Sequence, residues 1–479
     1  MKVRVDMTAL ACIKSLVPWI FTAIVGAILA GCAVSPVAIN SRFGVRQVPY
    51  TPDSGSIAIR CGKLIDGLGT TALGNALVVI RDGRVMSVKA NASRGDAAEP
   101  HVPVLDLSGY TCLPGLIDMH THLTDRPEDT ADLSVYFSRS DEETQRQSLE
   151  NASATLLAGF TSARNVGTYV MGADFALRDE VNAGMAAGPR IQASGPYLGI
   201  PQGGGDLYVP EFKEPADNAR FHAGVARGPE EFRDKAQMLL ASGADLLKVI
   251  ASGAVLAFGG VPGAPEMTRE EIAAVVQVAH AQGKKVAAHA HGAASILMAI
   301  DAGVDTVEHA SYLDDAGIAA ALKRGDVALS MDVYNGDYID TEGRRMQWPE
   351  EFLRKNLETT QVQREGFTKA VKAGVPIVFG TDAAVYPHGL NARQFPIMVA
   401  RGMTPMQAIQ SATSVAAKYM GWSDRVGALE AGRFGDLIAV RGDPLADVAA
   451  LQNVDVVIKG GLIFKMGTDL FDADPRRDR

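Results

Sequence analysis

Cysteine is scarce. The 479 residues hold four, at positions 12, 32, 61 and 112, and no two form a Cys-x-x-Cys pair. That argues against a thiolate zinc site. Basic residues are outnumbered, with 46 Lys+Arg against 55 Asp+Glu, a net charge of −9. An acidic balance argues against non-specific nucleic-acid binding, because phosphate attraction needs a basic surface. Mean hydropathy is only +0.06, too low for a multi-span membrane protein. No Gly-x-Gly-x-x-Gly follows the first strand of the central region, so a dinucleotide fold has no support. The apolar (47%) and charged (21%) fractions are ordinary, which excludes a mainly disordered or collagen-like chain. At roughly 150 residues per domain, the length allows about three domains, or one large barrel with an accessory domain. Nine histidines are present, and four of them fall in two His-x-His pairs.

The first 31 residues read as an address and leave the fold argument. Lys2, Arg4 and Lys14 precede an apolar run from Leu16 to Ala30. At about 15 residues the run is short for a spanning helix. It ends Leu29-Ala30-Gly31-Cys32, which resembles a bacterial lipobox; Cys32 would be lipidated and become the mature N-terminus. An ordinary secretory signal or an anchor helix is the alternative. The expected location is the bacterial cell envelope, as a lipoprotein on the outer membrane facing the periplasm. Residues 32–54 read as a tether and 468–479 as a tail. Cys61 and Cys112 remain; two buried thiols are expected, with a disulfide as the alternative in an oxidising compartment.

Residues 55–113 alternate as strands, with a hairpin signal at Arg81-Asp82-Gly83-Arg84. Residues 423–467 have the same texture. Two β-rich ends around a different middle predict one discontinuous β-sandwich domain. The middle, 114–422, alternates strand and helix. Strands are expected at 116–123, 160–166, 190–195, 244–251, 285–291, 305–310, 327–333 and 376–382. Helical patterns lie at 142–158, 170–187, 229–242, 268–282, 292–303, 314–325, 350–373 and 404–420. This is the arithmetic of an α/β (β/α)8 TIM barrel. A doubly wound open sheet is the competing arrangement.

Catalytic groups of such barrels sit at the C-terminal strand ends. Strand 1 ends Asp118-Met119-His120-Thr121-His122, and residues two apart on a strand point the same way. Strand 4 carries Lys248, strand 5 His289-Ala290-His291, strand 6 Glu308-His309 and strand 8 Thr381-Asp382. Any one of these has an ordinary reading as a hydrogen-bonding or solvent-facing side chain. Their joint placement points to divalent metal, since imidazole and carboxylate suit zinc and similar ions.

The order His-x-His, Lys, His, His, Asp at barrel strand ends resembles the amidohydrolase superfamily. Leu113-Pro114-Gly115-Leu116-Ile117 leading into 118–122 resembles its opening motif, and Ala431-Gly432-Arg433-Phe434-Gly435-Asp436-Leu437 its closing one. The spacing of Lys248, His289 and His309, with Gly292 after His291 and Gly380-Thr381-Asp382-Ala383, is similar to the imidazolonepropionase-like, prolidase-type group that includes ochratoxinase-like amidases. The resemblance spans 55–467. It implies a binuclear zinc site: His120, His122 and Asp382 on one ion, His289 and His309 on the other, and carboxylated Lys248 bridging both. It implies hydrolysis of an amide or peptide bond next to a free carboxylate, in dipeptides, N-acyl amino acids or ochratoxin-like amides, by metal-activated hydroxide. Asp382 would shuttle the proton. His291 is read as a donor to the oxyanion, with a sixth protein ligand as the alternative.

Substrate recognition is less legible. Arg164 is a candidate carboxylate anchor, with a structural ion pair as its alternative. Tyr334, Tyr338 and His388 are candidate pocket residues. Gly203-Gly204-Gly205-Asp206 lacks the His of the related Gly-Gly-His-Gly loop, and Asn165 replaces a common Asp. A cyclic amidohydrolase and a lactonase or phosphotriesterase-like hydrolase stay open as alternatives, and a non-enzymatic binding module is the third. Expected partners are a small-molecule or dipeptide substrate, the membrane through the lipid anchor alone, and a further copy of the chain as a homo-oligomer; no nucleic acid is expected.

Overall fold

The computed structural model describes residues 56–93, 95–96 and 102–467. The signal, tether and tail readings, Cys32 included, lie outside the described residues. The two β-rich ends meet in one sheet. Strands β1 (Ile57–Leu64), β2 (Leu73–Arg81), β3 (Arg84–Lys89) and β4 (Val104–Pro114) come from the first end. The second supplies β13 (Leu437–Arg441), β14 (Val454–Lys459) and β15 (Leu462–Lys465). The order is β15-β14-β13-β4-β1-β2-β3, seven strands, with β1–β4 the parallel pair. The β2–β3 turn uses Asp82 (φ +48°) and Gly83 (φ +73°). Two left-handed residues are what a tight hairpin of this twist demands, and Asp-Gly supplies them at low cost. One apolar core serves both ends, with Ile59, Val78 and Leu105 packed in the same cluster as Leu437, Val456 and Ile463.

Cys61 on β1 and Cys112 on β4 correct the thiol expectation: they form a disulfide, with Cα atoms 6.0 Å apart and a sequence separation of 51. Parallel pairing of β1 and β4, which aligns Leu64 with Cys112, brings these distant cysteines together.

All eight expected barrel strands form: β5 (Leu116–Thr121), β6 (Phe160–Asn165), β7 (Arg190–Ala193), β8 (Leu246–Ile250), β9 (Lys285–Ala290), β10 (Thr306–His309), β11 (Ala328–Ser330) and β12 (Ile377–Val378). They pair in parallel as β5-β6-β7 and β8-β9-β10-β11-β12. Two isolated bridges join these runs. Leu198, beyond β7, pairs with Val249, its amide donating to Lys248 O at 2.8 Å. Thr121 pairs with Ala383, and the Asp382 amide donates to His120 O at 2.7 Å. The last strand thus returns to the first, which excludes the open sheet.

Helices follow the strands, and some of their starts are capped by side chains. Ser140 and Glu143 form a reciprocal box at the helix Asp141–Leu157, as do Thr268 and Glu271 at Arg269–Ala281. The single helix expected over 404–420 is two, Pro405–Ser411 and Ser414–Met420. Thr413 breaks it with non-helical torsions, and Ala412 O turns to accept the amide of Ile117 on β5 at 2.7 Å. The break ties the last helices to the first barrel strand. Among the described residues, no helix is long and apolar enough to cross a membrane.

Candidate metal centre

The strand ends converge as the alternation argument requires. His120 lies at the end of β5, His122 just past it, and Asp382 past β12; their ligand atoms lie within 4.8 Å of one another. His289, His291 and His309 form a second such group, and His309, Asp332 and Asp382 a third, which joins the other two. The His122 Nε2–Asp382 Oδ1 distance is 3.0 Å, and that from His120 Nε2 is 3.3 Å. Gly380 permits the approach: a Cβ there would stand 2.0 Å from Ser330 Oγ and 2.9 Å from His120 Cβ. His309 (φ +67°) and Asp382 (φ +56°) sit in the left-handed region. Such backbone costs of order 1 kcal/mol or more per residue and persists where surrounding structure enforces it, commonly at functional sites.

Each imidazole has one nitrogen held by a neighbouring group outside the ligand set, and the second nitrogens of His120 and His122 face Asp382. His120 Nδ1 lies 2.9 Å from Glu308 Oε2, His122 Nδ1 3.1 Å from Gly167 O, and His309 Nδ1 2.9 Å from Asp332 Oδ1. His289 Nε2 lies 3.3 Å from Gly253 O, and His291 Nδ1 2.7 Å from Ser311 Oγ. Carbonyl and carboxylate partners fix the tautomer and orient a ring for a metal. Burial, followed by the neighbouring His309, pushes both His289 and His291 well below the ordinary histidine value, so each is neutral with a lone pair. Burial pushes the Asp382 carboxyl up, but His120 and His122 outweigh it and hold it well below its usual range.

Lys248 is 1% exposed, and its Nζ has no hydrogen-bond partner. Burial lowers its pKa to about 8, against the opposing pull of Glu308 and Asp382. An ammonium has three donors and no lone pair for a metal. An unpartnered buried amine amid histidines and carboxylates fits a group that carboxylation would convert to a bridging anion. The donor set therefore fits divalent metal, with every expected ligand at the site.

Two carboxylates in contact with the ligating histidines, Glu308 on His120 and Asp332 on His309, have no role assigned from sequence. Glu308 is fully buried and accepts from Arg164 Nη2 at 2.7 Å and from Thr306 Oγ1. Burial opposes its charge, yet Arg164, then His120, hold its carboxyl far below the ordinary value. Asp332 accepts from Asn335 Nδ2 and, at 2.9 Å, from Gln363 Nε2. Tyr197 adds its hydroxyl 3.0 Å from His122 Nδ1.

The anchor reading of Arg164 is corrected. It is 1% exposed, donates to Met119 O at 2.6 Å and to Glu308, and does not line the cavity. It is the structural ion pair. Tyr334, Tyr338 and His388 are likewise absent from the lining. Tyr334 accepts from Arg393 at 2.9 Å, and both tyrosines pack on Tyr386. His388 is buried behind the site, with Nδ1 3.3 Å from Thr155 Oγ1. The cavity is instead lined by Tyr136, Tyr169 and Tyr197, by Asn335, and by Arg126. Gly204 of the glycine loop reaches it.

A barrel closed on itself, a sheet shared by both ends, and two histidine-rich ligand groups at the strand ends define a metal-dependent hydrolase class. The chain belongs to the amidohydrolase family, whose pattern it matches over residues 111–463. It is 31% identical over 457 residues to ochratoxinase of Aspergillus niger, covering 90% of this chain and 91% of that one. It is 27% identical over 407 residues to imidazolonepropionase of Chromobacterium violaceum, covering 77% and 85%. Among solved structures, a Xaa-Pro dipeptidase with bound methionine in the active site superposes with a TM-score of 0.78 at 33% identity, covering 86% of this chain and all of that one. The chain is thus a C–N bond hydrolase of that family.

Proposed function

We propose that this hydrolase holds two divalent ions, zinc foremost, and cleaves an amide or peptide bond next to a free carboxylate. The observation that carries the reading is Lys248: a buried, unpartnered amine between two histidine groups that suit metal. His120, His122 and Asp382 would hold one ion, His289 and His309 the other, with carboxylated Lys248 shared. Bound there, such ions lower the pKa of water and polarise a carbonyl. Asp382 takes the proton released as water attacks and returns it to the leaving nitrogen, which cannot depart as an anion. Ser311 Oγ lies 2.7 Å from His291 Nδ1; with the hydroxyl donating there, Nε2–H would be the donor to the developing oxyanion. Arg126 is the guanidinium that lines the cavity, and it takes the carboxylate-anchoring role that Arg164 cannot.

Two relatives favour the carboxylate-adjacent amide. One is named an ochratoxinase, and the other, a Xaa-Pro dipeptidase, holds methionine in its active site. The test is a mixed library of dipeptides and N-acyl amino acids, offered to the chain loaded with zinc and bicarbonate. Release of free amino acid that stops with chelator supports the reading. Two bound ions without release would move the substrate to cyclic amides, lactones or phosphotriesters.

The proposed location is the cell envelope, through a lipid on Cys32. The Leu29-Ala30-Gly31-Cys32 pattern supports it, and the Cys61–Cys112 disulfide suits an oxidising compartment. Cys32→Ser should move the protein from the membrane to the soluble fraction; retention of the variant on the membrane would contradict the lipid anchor.

A further inference from the structure

One wall of the cavity has no part in the chemistry above. Residues 252–266, which follow β8, form a narrow loop. Its base is pinned: Ser252 bridges to Pro265, and the Glu266 amide donates to Ala251 O at 2.9 Å. Gly253 lets the two limbs close, since a Cβ there would meet Val261 backbone at 2.5 Å. Beyond the base, Ala254, Val255 and Leu256 line the cavity and are only half-buried. Ile250, Ile339 and Val385 line it with them. Six apolar side chains thus share a cavity with the metal ligands.

Two hydrogen bonds tie the tip of this loop to the helix Glu350–Ala373. Lys355 Nζ donates to Ala257 O at 2.7 Å, and the Gly259 amide donates to Glu351 Oε1 at 3.0 Å. Lys355 and Glu351 are themselves an ion pair, 2.7 Å apart and one helical turn from each other. Phe258 packs on Phe352 of the same helix, with ring centroids 4.8 Å apart. Lys355 is 1% exposed. Burying a lysine head costs free energy unless it is paired and hydrogen-bonded. Here its partners are a loop carbonyl and a carboxylate that also holds the loop.

We propose that Ala254–Leu256, with Ile250, Ile339 and Val385, form a subsite for an apolar side chain of the substrate, and that Lys355 is the positioning residue that holds this wall in place. The inference rests on the amide-hydrolase reading and adds to it the class of side chain accepted. Ala254, Val255 and Leu256, half-buried on this wall, gain free energy when an apolar substituent displaces water from them. A charged substituent would be desolvated there without a partner. The long helix also presents Asn356, Thr359 and Gln363 to the cavity, so one element sets both the polar and the apolar wall.

The test compares N-acetyl-L-leucine, N-acetylglycine and N-acetyl-L-aspartate on the zinc-loaded chain. Expected is a kcat/KM at least tenfold higher for the leucine compound than for the other two. Lys355→Met should raise KM for leucine at least fivefold, change kcat less, and leave the glycine compound and the zinc content within twofold. Lys355→Arg should restore most of the loss. Val255→Asp places the perturbation on a half-buried side chain, independent of whether Lys355→Met folds, and should abolish the leucine preference. A KM for leucine unmoved by both Lys355→Met and Val255→Asp, or an equal loss on all three compounds, overturns the proposal. Calorimetric binding of the same three compounds separates the two readings. Absent turnover with leucine still bound at least tenfold tighter than glycine sinks the hydrolase reading and keeps the subsite. Equal binding of leucine and glycine overturns the subsite whatever the turnover.

Discussion

Glu308 offers a decisive perturbation, because it serves the metal centre without touching the cavity. It lies between the Arg164 guanidinium, at 2.7 Å, and His120 Nδ1, at 2.9 Å, with no solvent exposure. Glu308→Gln removes the charge and keeps the shape. Arg164 would then be a buried cation without its counter-ion, and its Nη1 already has no hydrogen-bond partner. Breaking a buried ion pair from one side costs about 3–5 kcal/mol. Loss of an outer partner to a ligating histidine weakens metal binding by roughly 10–100-fold, about 1.4–2.8 kcal/mol. The assay is zinc affinity by chelator competition, alongside chemical denaturation of the metal-free chain. A double variant, Arg164→Met with Glu308→Leu, separates the effects. It should recover much of the stability, since apolar replacement of a buried pair is often neutral. It should not recover zinc affinity, because His120 Nδ1 still lacks its acceptor. A Glu308→Gln chain with unchanged stability and zinc affinity within twofold would refute the reasoning.

Three further outcomes follow from other parts of the molecule. Lys248→Ala should abolish turnover, with partial rescue by short-chain carboxylates that replace the carbamate; unchanged turnover in a kinetic assay would remove the bridging role. Burial lowers the His388 pKa to about 4, so between pH 6.5 and 4 the unfolded chain binds a proton that the folded chain does not. Stability should therefore fall through that window by about 3 kcal/mol, a loss that His388→Gln should remove from the pH dependence of denaturation. The disulfide closes a loop of 51 residues. A chain-entropy estimate gives up to about 4 kcal/mol, so reduction, or Cys61→Ser with Cys112→Ser, should lower the denaturation midpoint of the terminal sheet.

Much of the site was legible because strand alternation is a strict geometric rule. His120 and His122 had to share a face, and so did His289 and His291. Eight apolar runs with helical patterns between them allowed few closed arrangements. Glu308 was harder to read. Adjacent residues of a strand ordinarily face opposite ways, so Glu308 and His309 should not both turn inward. The left-handed backbone at His309 and Ala310 breaks the alternation, and both side chains are buried. No local residue type announces that turn. Arg164 misled for a related reason. Its position at a strand end was right, but its partner lay 144 residues away, and only the closed barrel brings them together. After β11, side-chain size alone points to the large aromatics Tyr334 and Tyr338 as pocket residues. The structure packs them on Tyr386 and gives the cavity to the smaller Asn335. The disulfide was hidden because Cys61 and Cys112 belong to strands whose parallel pairing no hairpin signal predicts.

The most direct test of the two-ion centre is a metal titration of the metal-free chain in bicarbonate, following amino-acid release from N-acetyl-L-leucine as zinc is added. No release is expected without metal, followed by a rise that saturates at two equivalents per chain. Full turnover in the metal-free chain, or saturation at one equivalent, would contradict the two-ion centre.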